Sequence, residues 1–213
     1  MVRRWVGVPA VVALAIALLP AALIPASTVA VAPTCFGQPA TIVGAGTIQG
    51  TPGNDVIVGS SGPDEIWSNG GDDTICALGG NDVIHASIDD YHSSKVDAGD
   101  GNDTISTGIN AIKDVLLGGS GADSFYVGSG GNPEIHGGSG GDHVIAGSNN
   151  DITADGDSGG DVLDAHQASF ARLYGGSGTD RLISASFNSV LDGGSGHDTC
   201  GGGGTNTITN CEA

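Results

Sequence analysis

The sequence predicts an all-β protein built as a solenoid, in which short strands stack coil upon coil. A phrase rich in glycine and aspartate recurs through the chain, as in GGSGGDHVI at residues 137–145. Apolar residues recur at a fixed distance after each phrase. The strand between two phrases is only about three residues long, so it can be stable only by stacking on neighbouring copies.

The spacing of the aspartates defines the coil. From Gly50 the chain reads GTPGNDVIV, GSSGPDEIW, SNGGDDTIC and ALGGNDVIH, with the aspartates nine residues apart. Beyond Asp82 the full turns follow one another after 18 to 21 residues, close to twice nine. Two nonapeptides should therefore form one coil. We call the turns that end at Asp64, Asp82 and then every coil to Asp198 the first column, and the turns between them, which lose the motif after Asp73, the second column.

The apolar residues on the two sides of each coil keep their register through every insertion. After the first-column turns come Ile66, Ile84, Ile105, Phe125, Val144, Leu163, Leu182 and Cys200. Before those turns come Ile57, Ile75, Val96, Leu116, Ile135, Ala154, Leu173 and Leu191. We expect two facing strand ladders with one inward residue per strand. Eight coils at the usual strand spacing would make a thin rod of roughly 40 Å.

The turn composition favours a hard cation. Glycine at turn positions one, two and four permits positive φ and close backbone approach. Such turns can direct carbonyl oxygens inward, and the closing aspartate adds a carboxylate. Ca²⁺ takes six to eight oxygen ligands in flexible geometry, and stacking would place each ion between two successive turns.

These registered copies of GGxGxDxUx, with U apolar, resemble the haemolysin-type or RTX calcium-binding repeat over about residues 50–204. The resemblance implies a parallel β-roll that holds several Ca²⁺ ions between turns by aspartate carboxylates and turn carbonyls. The implied ligands that match best are Asp103, Asp123, Asp142, Asp161, Asp180 and Asp198. Those that match nearly as well are Asp55, Asp64, Asp73 and Asp82. Asn132 and Asn206 are expected to occupy aspartate slots without binding strongly, and Asp151 keeps the acid but lacks most of the glycines.

Residues 1–32 have the features of a secretory signal peptide. Arg3 and Arg4 precede an apolar run at 11–25, and small residues follow. A membrane anchor is the alternative, but prolines interrupt the run and no basic segment follows it. No other apolar run is long enough to span a bilayer. We therefore expect a secreted protein without a membrane span once the signal is removed.

Charge and composition exclude several partners. The chain of 213 residues has 24 acidic residues against six Lys plus Arg. Because Arg3 and Arg4 lie in the signal, the remainder carries a formal charge of −20. It should repel nucleic acid and anionic membranes and attract cations. With 39 glycines and 4% aromatic residues, it should stay expanded unless cations neutralise the acids.

Four cysteines lie beyond the signal, and an even number in an exported chain favours disulfides. Three connectivities are possible. We favour Cys35–Cys76 and Cys200–Cys211, because each pair lies at one end of the repeats. Residues 33–49 would then form an N-terminal cap and residues 205–213 a C-terminal disulfide cap.

The sequence thus predicts a secreted, non-enzymatic calcium-binding protein that folds on Ca²⁺ and has a structural or adhesive role at or outside the cell surface. One alternative is an accessory or remnant of a secreted RTX hydrolase of the lipase or protease type. The segments GDSGG at 156–160 and GGSGG at 137–141 resemble serine nucleophile motifs, but no helical pattern follows them. The other alternative, an ice- or carbohydrate-binding solenoid, would need a regular outward ladder, and the outward residues here are mixed.

Overall fold

The computed structural model describes residues 31–86, 91–148 and 150–212. All but the last two residues of the predicted signal peptide lie outside this part of the chain, as do four residues of the loop between 86 and 95. The described residues are all-β, as predicted. They include no helix long and apolar enough to cross a membrane.

The described residues form 24 strands, each two to six residues long. In chain order they are β1 (Thr34–Cys35), β2 (Gln38–Pro39), β3 (Ile42–Val43), β4 (Thr47–Gln49), β5 (Val56–Val58), β6 (Glu65–Trp67), β7 (Thr74–Cys76), β8 (Val83–Ala86), β9 (Lys95–Asp100), β10 (Thr104–Thr107), β11 (Val115–Ser120), β12 (Ser124–Val127), β13 (Glu134–Ser139), β14 (His143–Ala146), β15 (Asp151–Asp155), β16 (Ser158–Gly159), β17 (Val162–Asp164), β18 (Phe170–Tyr174), β19 (Ser177–Gly178), β20 (Arg181–Ser184), β21 (Val190–Asp192), β22 (Ser195–Gly196), β23 (Thr199–Gly202) and β24 (Thr207–Thr209).

Two parallel sheets face each other across the solenoid. The nine-stranded sheet runs from β4 through β6, β8, β10, β12, β14, β17 and β20 to β23. The thirteen-stranded sheet runs from β3 through β5, β7, β9, β11, β13, β15, β18 and β21 to β24, with β16, β19 and β22 beside it. Successive strands of one sheet belong to successive coils. A first-column turn leads into each strand of the nine-stranded sheet from β6 onward, and a second-column turn leads back to the other sheet.

The predicted register is confirmed along both ladders. In the nine-stranded sheet Ile84 pairs with Ile66 on one side and with Ile105 on the other, and the series continues to Cys200. In the thirteen-stranded sheet Leu116 pairs with Val96 and Ile135, in the series from Ile57 to Leu191. A one-residue slip would turn every inward residue outward, so the apolar period alone specifies this register.

The core is a narrow file of these inward side chains. Phe125, Leu116 and most of the ladder isoleucines have no exposed surface, whereas Cys200 at the end is only partly buried. Burying one such side chain contributes roughly 1.5–3 kcal/mol, and each coil supplies little more than two of them. Ordering a glycine-rich backbone costs more entropy than ordering an ordinary one. The coil therefore needs a further source of stability in its turns.

Disulfides close both ends, with the favoured connectivity confirmed. Cys35–Cys76 ties the antiparallel hairpin of β1 and β2 to β7, and Cys200–Cys211 ties the last residues to β23. The stacking extends past both limits of the expected 50–204 roll. Strands β3 and β4 already pair with β5 and β6, and β24 pairs with β21. Much of each expected cap is therefore part of the solenoid.

Candidate metal centre

The first column brings eight of the ten predicted aspartates into one unbroken ladder. The backbone N–H of each aspartate donates to Oδ1 of the aspartate one coil later. Seven such bonds of 2.7–2.9 Å run along Asp64, Asp82, Asp103, Asp123, Asp142, Asp161, Asp180 and Asp198. All eight residues are at most 3% exposed. One oxygen of each carboxylate is therefore fixed by the preceding turn.

The second carboxylate oxygen is the unusual atom. Within the described part of the chain, Oδ2 is buried and has no hydrogen-bond partner in Asp73, Asp82, Asp103, Asp123, Asp142, Asp161, Asp180 and Asp198. A buried charged acceptor without a partner is costly, and a row of them costs more still. Their repetition at one turn position indicates that a cation belongs beside them.

At the first glycine of several turns, Oδ2 of the closing aspartate lies near a carbonyl oxygen of the following turn. A β-carbon added to Gly175, at turn position one, would lie 2.5 Å from Asp180 Oδ2 and 2.5 Å from the carbonyl oxygen of Gly193 in the next turn. The same pair of neighbours surrounds the first glycine of the turns that end at Asp123, Asp142 and Asp161. Each such space is lined by a carboxylate from one turn and a carbonyl from the next, which are the ligand types that Ca²⁺ prefers.

The last turn is completed by residues outside the repeat. The first glycine of this turn, Gly193, faces Asp198 Oδ2, but its neighbour from the next coil is the carbonyl oxygen of Asn210. The N–H of Glu212 donates to the carbonyl of Asp198 at 2.7 Å. The disulfide at Cys211 thus fastens a segment that supplies the missing turn.

Stacking makes glycine obligatory at position four of every first-column turn after the one that ends at Asp64. Gly159 has φ +142°, a conformation that side chains rarely adopt, and a β-carbon there would overlap the carbonyl oxygen of Gly140. Gly178 stands in the same relation to Gly159 one coil later. The turns can therefore approach closely enough to share ligands only because these positions lack side chains.

Two of the ten predicted aspartates differ from the rest. Oδ2 of Asp55 accepts the N–H of Thr51 at 2.6 Å, and Oδ2 of Asp64 accepts the N–H of Ser60 at 2.7 Å. Their Oδ1 atoms also accept hydrogen bonds, from Thr41 and Gly46. Both oxygens of these two carboxylates are already in use within the protein.

Burial shifts the acid-base properties of the ladder. Desolvation, opposed by the N–H of the preceding turn and assisted by neighbouring aspartates, raises the pKa of Asp123 and of Asp161 to about 7. Desolvation likewise raises the pKa of Asp73 and of Asp82 to about 6. The ionised carboxylates are thus poorly stabilised by the protein alone, and a bound cation would supply the compensating charge.

The second column keeps the position of the closing aspartate in every coil, but only three coils have an acid there. This slot lies two residues before the inward residue of the thirteen-stranded sheet. Along the chain it holds Asp55, Asp73, Ser94, Asp114, Pro133, Ile152, Ala171, Ser189 and Asn206. The predicted Asn206 slot is observed, since Oδ1 of Asn206 accepts the N–H of Ser189 at 3.1 Å. The Asn132 slot was wrong by one residue, because the preceding loop ends at Pro133. Asp151 likewise lies one residue before its slot and is exposed.

Sequence reasoning missed Asp114. Its side chain is buried, and its Oδ1 accepts the N–H of Ser94 at 2.8 Å. The glycine motif is absent from the preceding residues, so the GGxGxD pattern does not identify this aspartate. Its position two residues before Leu116 in the inward ladder is the signal that could have found it.

The comparison with known families agrees with this geometry. The RTX calcium-binding nonapeptide repeat matches the chain in four copies, at residues 49–84, 94–111, 113–132 and 174–208. These copies cover just over half of the chain. No curated protein sequence matches it. With parallel coils, stacked aspartate turns and paired carboxylate and carbonyl oxygens in place for several Ca²⁺ ions, the chain belongs to the family of RTX calcium-binding repeat proteins.

Proposed function

We propose that the protein is exported, is not an enzyme, and folds when Ca²⁺ binds between the turns of the first column. The observation that carries the proposal is the row of buried Oδ2 atoms, five of which lie near a carbonyl oxygen of the following coil. The sequence offers few positive charges to offset them. The basic residues of the chain beyond the signal are Lys95, Lys113, Arg172 and Arg181, against an aspartate in every coil.

The strongest sites are proposed where turn position one is glycine and Oδ2 of the closing aspartate accepts no hydrogen bond. There the absence of a β-carbon lets Oδ2 lie near a carbonyl oxygen of the following coil, in the turns that end at Asp123, Asp142, Asp161, Asp180 and Asp198. Ala77 and Ala98 occupy position one in the two turns before these, and their methyl groups take part of the corresponding space. Asp82 and Asp103 are therefore proposed as weaker ligands, and so is Asp73, whose turn has Ser68 at position one. Asp55 and Asp64, whose oxygens accept hydrogen bonds within the protein, are proposed to contribute least.

Coupling of binding to folding follows from charge. Bringing an aspartate from every coil into one buried column is unfavourable without cations, and the pKa values of several of them rise in the fold. A ligand that binds only the folded state stabilises it by mass action. Extracellular calcium modules bind at about 10⁻⁴–10⁻³ M, which is the range we expect here.

Two observations support export and the absence of catalysis. Two disulfides are typical of oxidising compartments outside the cytosol, in keeping with the signal peptide expected at 1–32. The serine of GDSGG, Ser158, donates its hydroxyl to the carbonyl of Gly138 at 3.2 Å, so it acts as part of the stack. A structural or adhesive role suits a solenoid whose turns are occupied by ions.

A calcium titration of the chain from residue 33 onward, followed by far-ultraviolet circular dichroism, tests the proposal. We expect little β-sheet signal in chelator and a cooperative gain at millimolar or submillimolar Ca²⁺. Mg²⁺ should not substitute, because it demands strict octahedral geometry and dehydrates reluctantly. Full β-sheet signal in chelator would show that folding does not depend on the ion.

A further inference from the structure

A second group of metal-binding side chains lies on the outer face of the thirteen-stranded sheet. His136 on β13 pairs in parallel register with Asp155 on β15. Asp157 follows in the next turn, and its Oδ2 lies 3.6 Å from Nδ1 of His136. One ligand atom from each of these three residues lies within 4.8 Å of the other two. They come from two adjacent coils.

Residue 157 is an aspartate at a turn position where the neighbouring coils have glycine. The residues that stand at this turn position in the neighbouring coils are Gly138 and Gly176, with φ of +103° and +95°. Asp157 adopts φ +64°, a conformation that is uncommon for any residue with a side chain. The sequence therefore places a carboxylate where the fold favours glycine, and that carboxylate faces an imidazole.

The donor set differs in kind from that of the calcium column. Ca²⁺ is bound through oxygen alone, whereas this group offers an imidazole nitrogen and two carboxylates. That combination suits Zn²⁺ and other divalent transition metals, which accept three protein ligands and leave a position for water. The side chains of His136 and Asp157 are about two-fifths exposed, so ions can reach them directly from solvent.

The other side of the imidazole also has a partner. Oε1 of Glu134, on the same strand, lies 3.7 Å from Nε2 of His136. The charge of Glu134 adds to the negative potential around the imidazole, which favours a bound cation. His166, in contrast, contacts one carboxylate, with Nδ1 2.6 Å from Oδ1 of Asp164.

We propose that His136, Asp155 and Asp157 bind one divalent transition-metal ion at a separate site that adjoins the calcium column at the turn ending at Asp161. The natural probe is Zn²⁺, added to the calcium-saturated protein at neutral pH and followed by isothermal titration calorimetry. The wild-type chain should bind one Zn²⁺ and keep its Ca²⁺, as measured by the metal content after dialysis. His136→Gln and Asp157→Gly should each weaken Zn²⁺ binding at least about tenfold, since even the loss of an indirect partner costs 10- to 100-fold.

Matched variants keep the test decisive. Asp157→Gly installs the residue of the neighbouring turns and should preserve the fold and the bound Ca²⁺, so it decides the matter if His136→Gln folds poorly. His166→Gln removes a histidine that has a single carboxylate partner and should leave Zn²⁺ affinity unchanged. Wild-type affinity in Asp157→Gly, no Zn²⁺ binding by the wild-type chain, or Zn²⁺ that enters only as Ca²⁺ leaves would each overturn the proposal.

Discussion

The two columns of turns share one backbone path but differ in chemistry. The first column carries an aspartate in every coil from Asp64 to Asp198. In the second column, the slots after Asp114 hold proline, isoleucine, alanine, serine and asparagine. Both sheets nevertheless keep parallel register over the same length. The closing aspartates are therefore not required for the register of the coils.

Neutral groups replace the acid where a hydrogen bond is still useful. In the second column the N–H of Ala171 donates to Oγ of Ser189, and the N–H of Ser189 donates to Oδ1 of Asn206, each at 3.1 Å. The same bond in the first column uses Oδ1 of an aspartate. The hydrogen bond explains one carboxylate oxygen only. The other oxygen distinguishes the columns, and it is the one that a cation needs.

The largest effect is expected from removing an acid in the middle of the first column. Asp142→Ala removes a ligand oxygen and the acceptor of the Asp123 N–H. We expect the loss of one or two bound ions and about 3 kcal/mol of unfolding free energy in saturating Ca²⁺, measured by metal content and urea denaturation. Asp151→Ala, at an exposed carboxylate outside its slot, is the control. Equal calcium loss in both variants would contradict the assignment of the columns.

A smaller effect is expected from filling one space without removing an acid. The backbone of Gly175 does not require glycine, but the methyl group of Gly175→Ala would lie 2.5 Å from Asp180 Oδ2 and from the Gly193 carbonyl. We expect one fewer bound ion, with about 1–3 kcal/mol of destabilisation from overpacking. Gly62→Ala is the matched control in another first-column turn, since its nearest neighbour would be 4.0 Å away. Unchanged ion content in Gly175→Ala would argue that the ions lie elsewhere.

The pH dependence should have opposite signs with and without calcium. In the ion-free fold the pKa of Asp123 and of Asp161 is raised to about 7, above the ordinary value of 3.8 that an unfolded chain retains. The favourable contribution of the protonated forms is full below pH 4 and is lost as the pH rises through 7. Residual structure in calcium-depleted buffer should thus increase from pH 7.5 to pH 5. In Ca²⁺, protons compete with the ion, so acid should lower the stability. Parallel thermal melts in the two buffers measure both signs.

The smallest effect is expected in the second column. Ser189→Ala leaves the buried N–H of Ala171 without its acceptor, at a cost of about 1–2 kcal/mol. The calcium content should not change, because no carboxylate is involved. A fall in bound Ca²⁺ would show that the two columns are coupled through the core. A calcium titration of this variant beside the Asp142→Ala variant makes the contrast direct.

The fold could be predicted because its period appears in two independent series. The aspartates and the inward apolar residues repeat together, so the register of Ile84 or Leu116 follows from either series. The distinct state of Asp64 could not be predicted. Whether its Oδ2 faces an ion or accepts the Ser60 N–H depends on local backbone torsion, not on the motif. The contribution of Asn210 could not be predicted either, because every residue has a backbone carbonyl oxygen and the residue type does not indicate which one is used.

The direction of the ladder imposes an order on assembly. The oxygen beside each aspartate comes from the turn that follows it in the chain, and the N–H that each aspartate accepts comes from the turn before. A chain that emerges with its N-terminus first cannot lock a coil until the next coil has arrived. Each site is completed only when the coil after its aspartate has folded. The last site is completed by Asn210 and the Cys200–Cys211 disulfide. Truncation of the final few residues would therefore leave the last site incomplete. Unfolding should then begin at that end and proceed towards the N-terminus, one coil at a time.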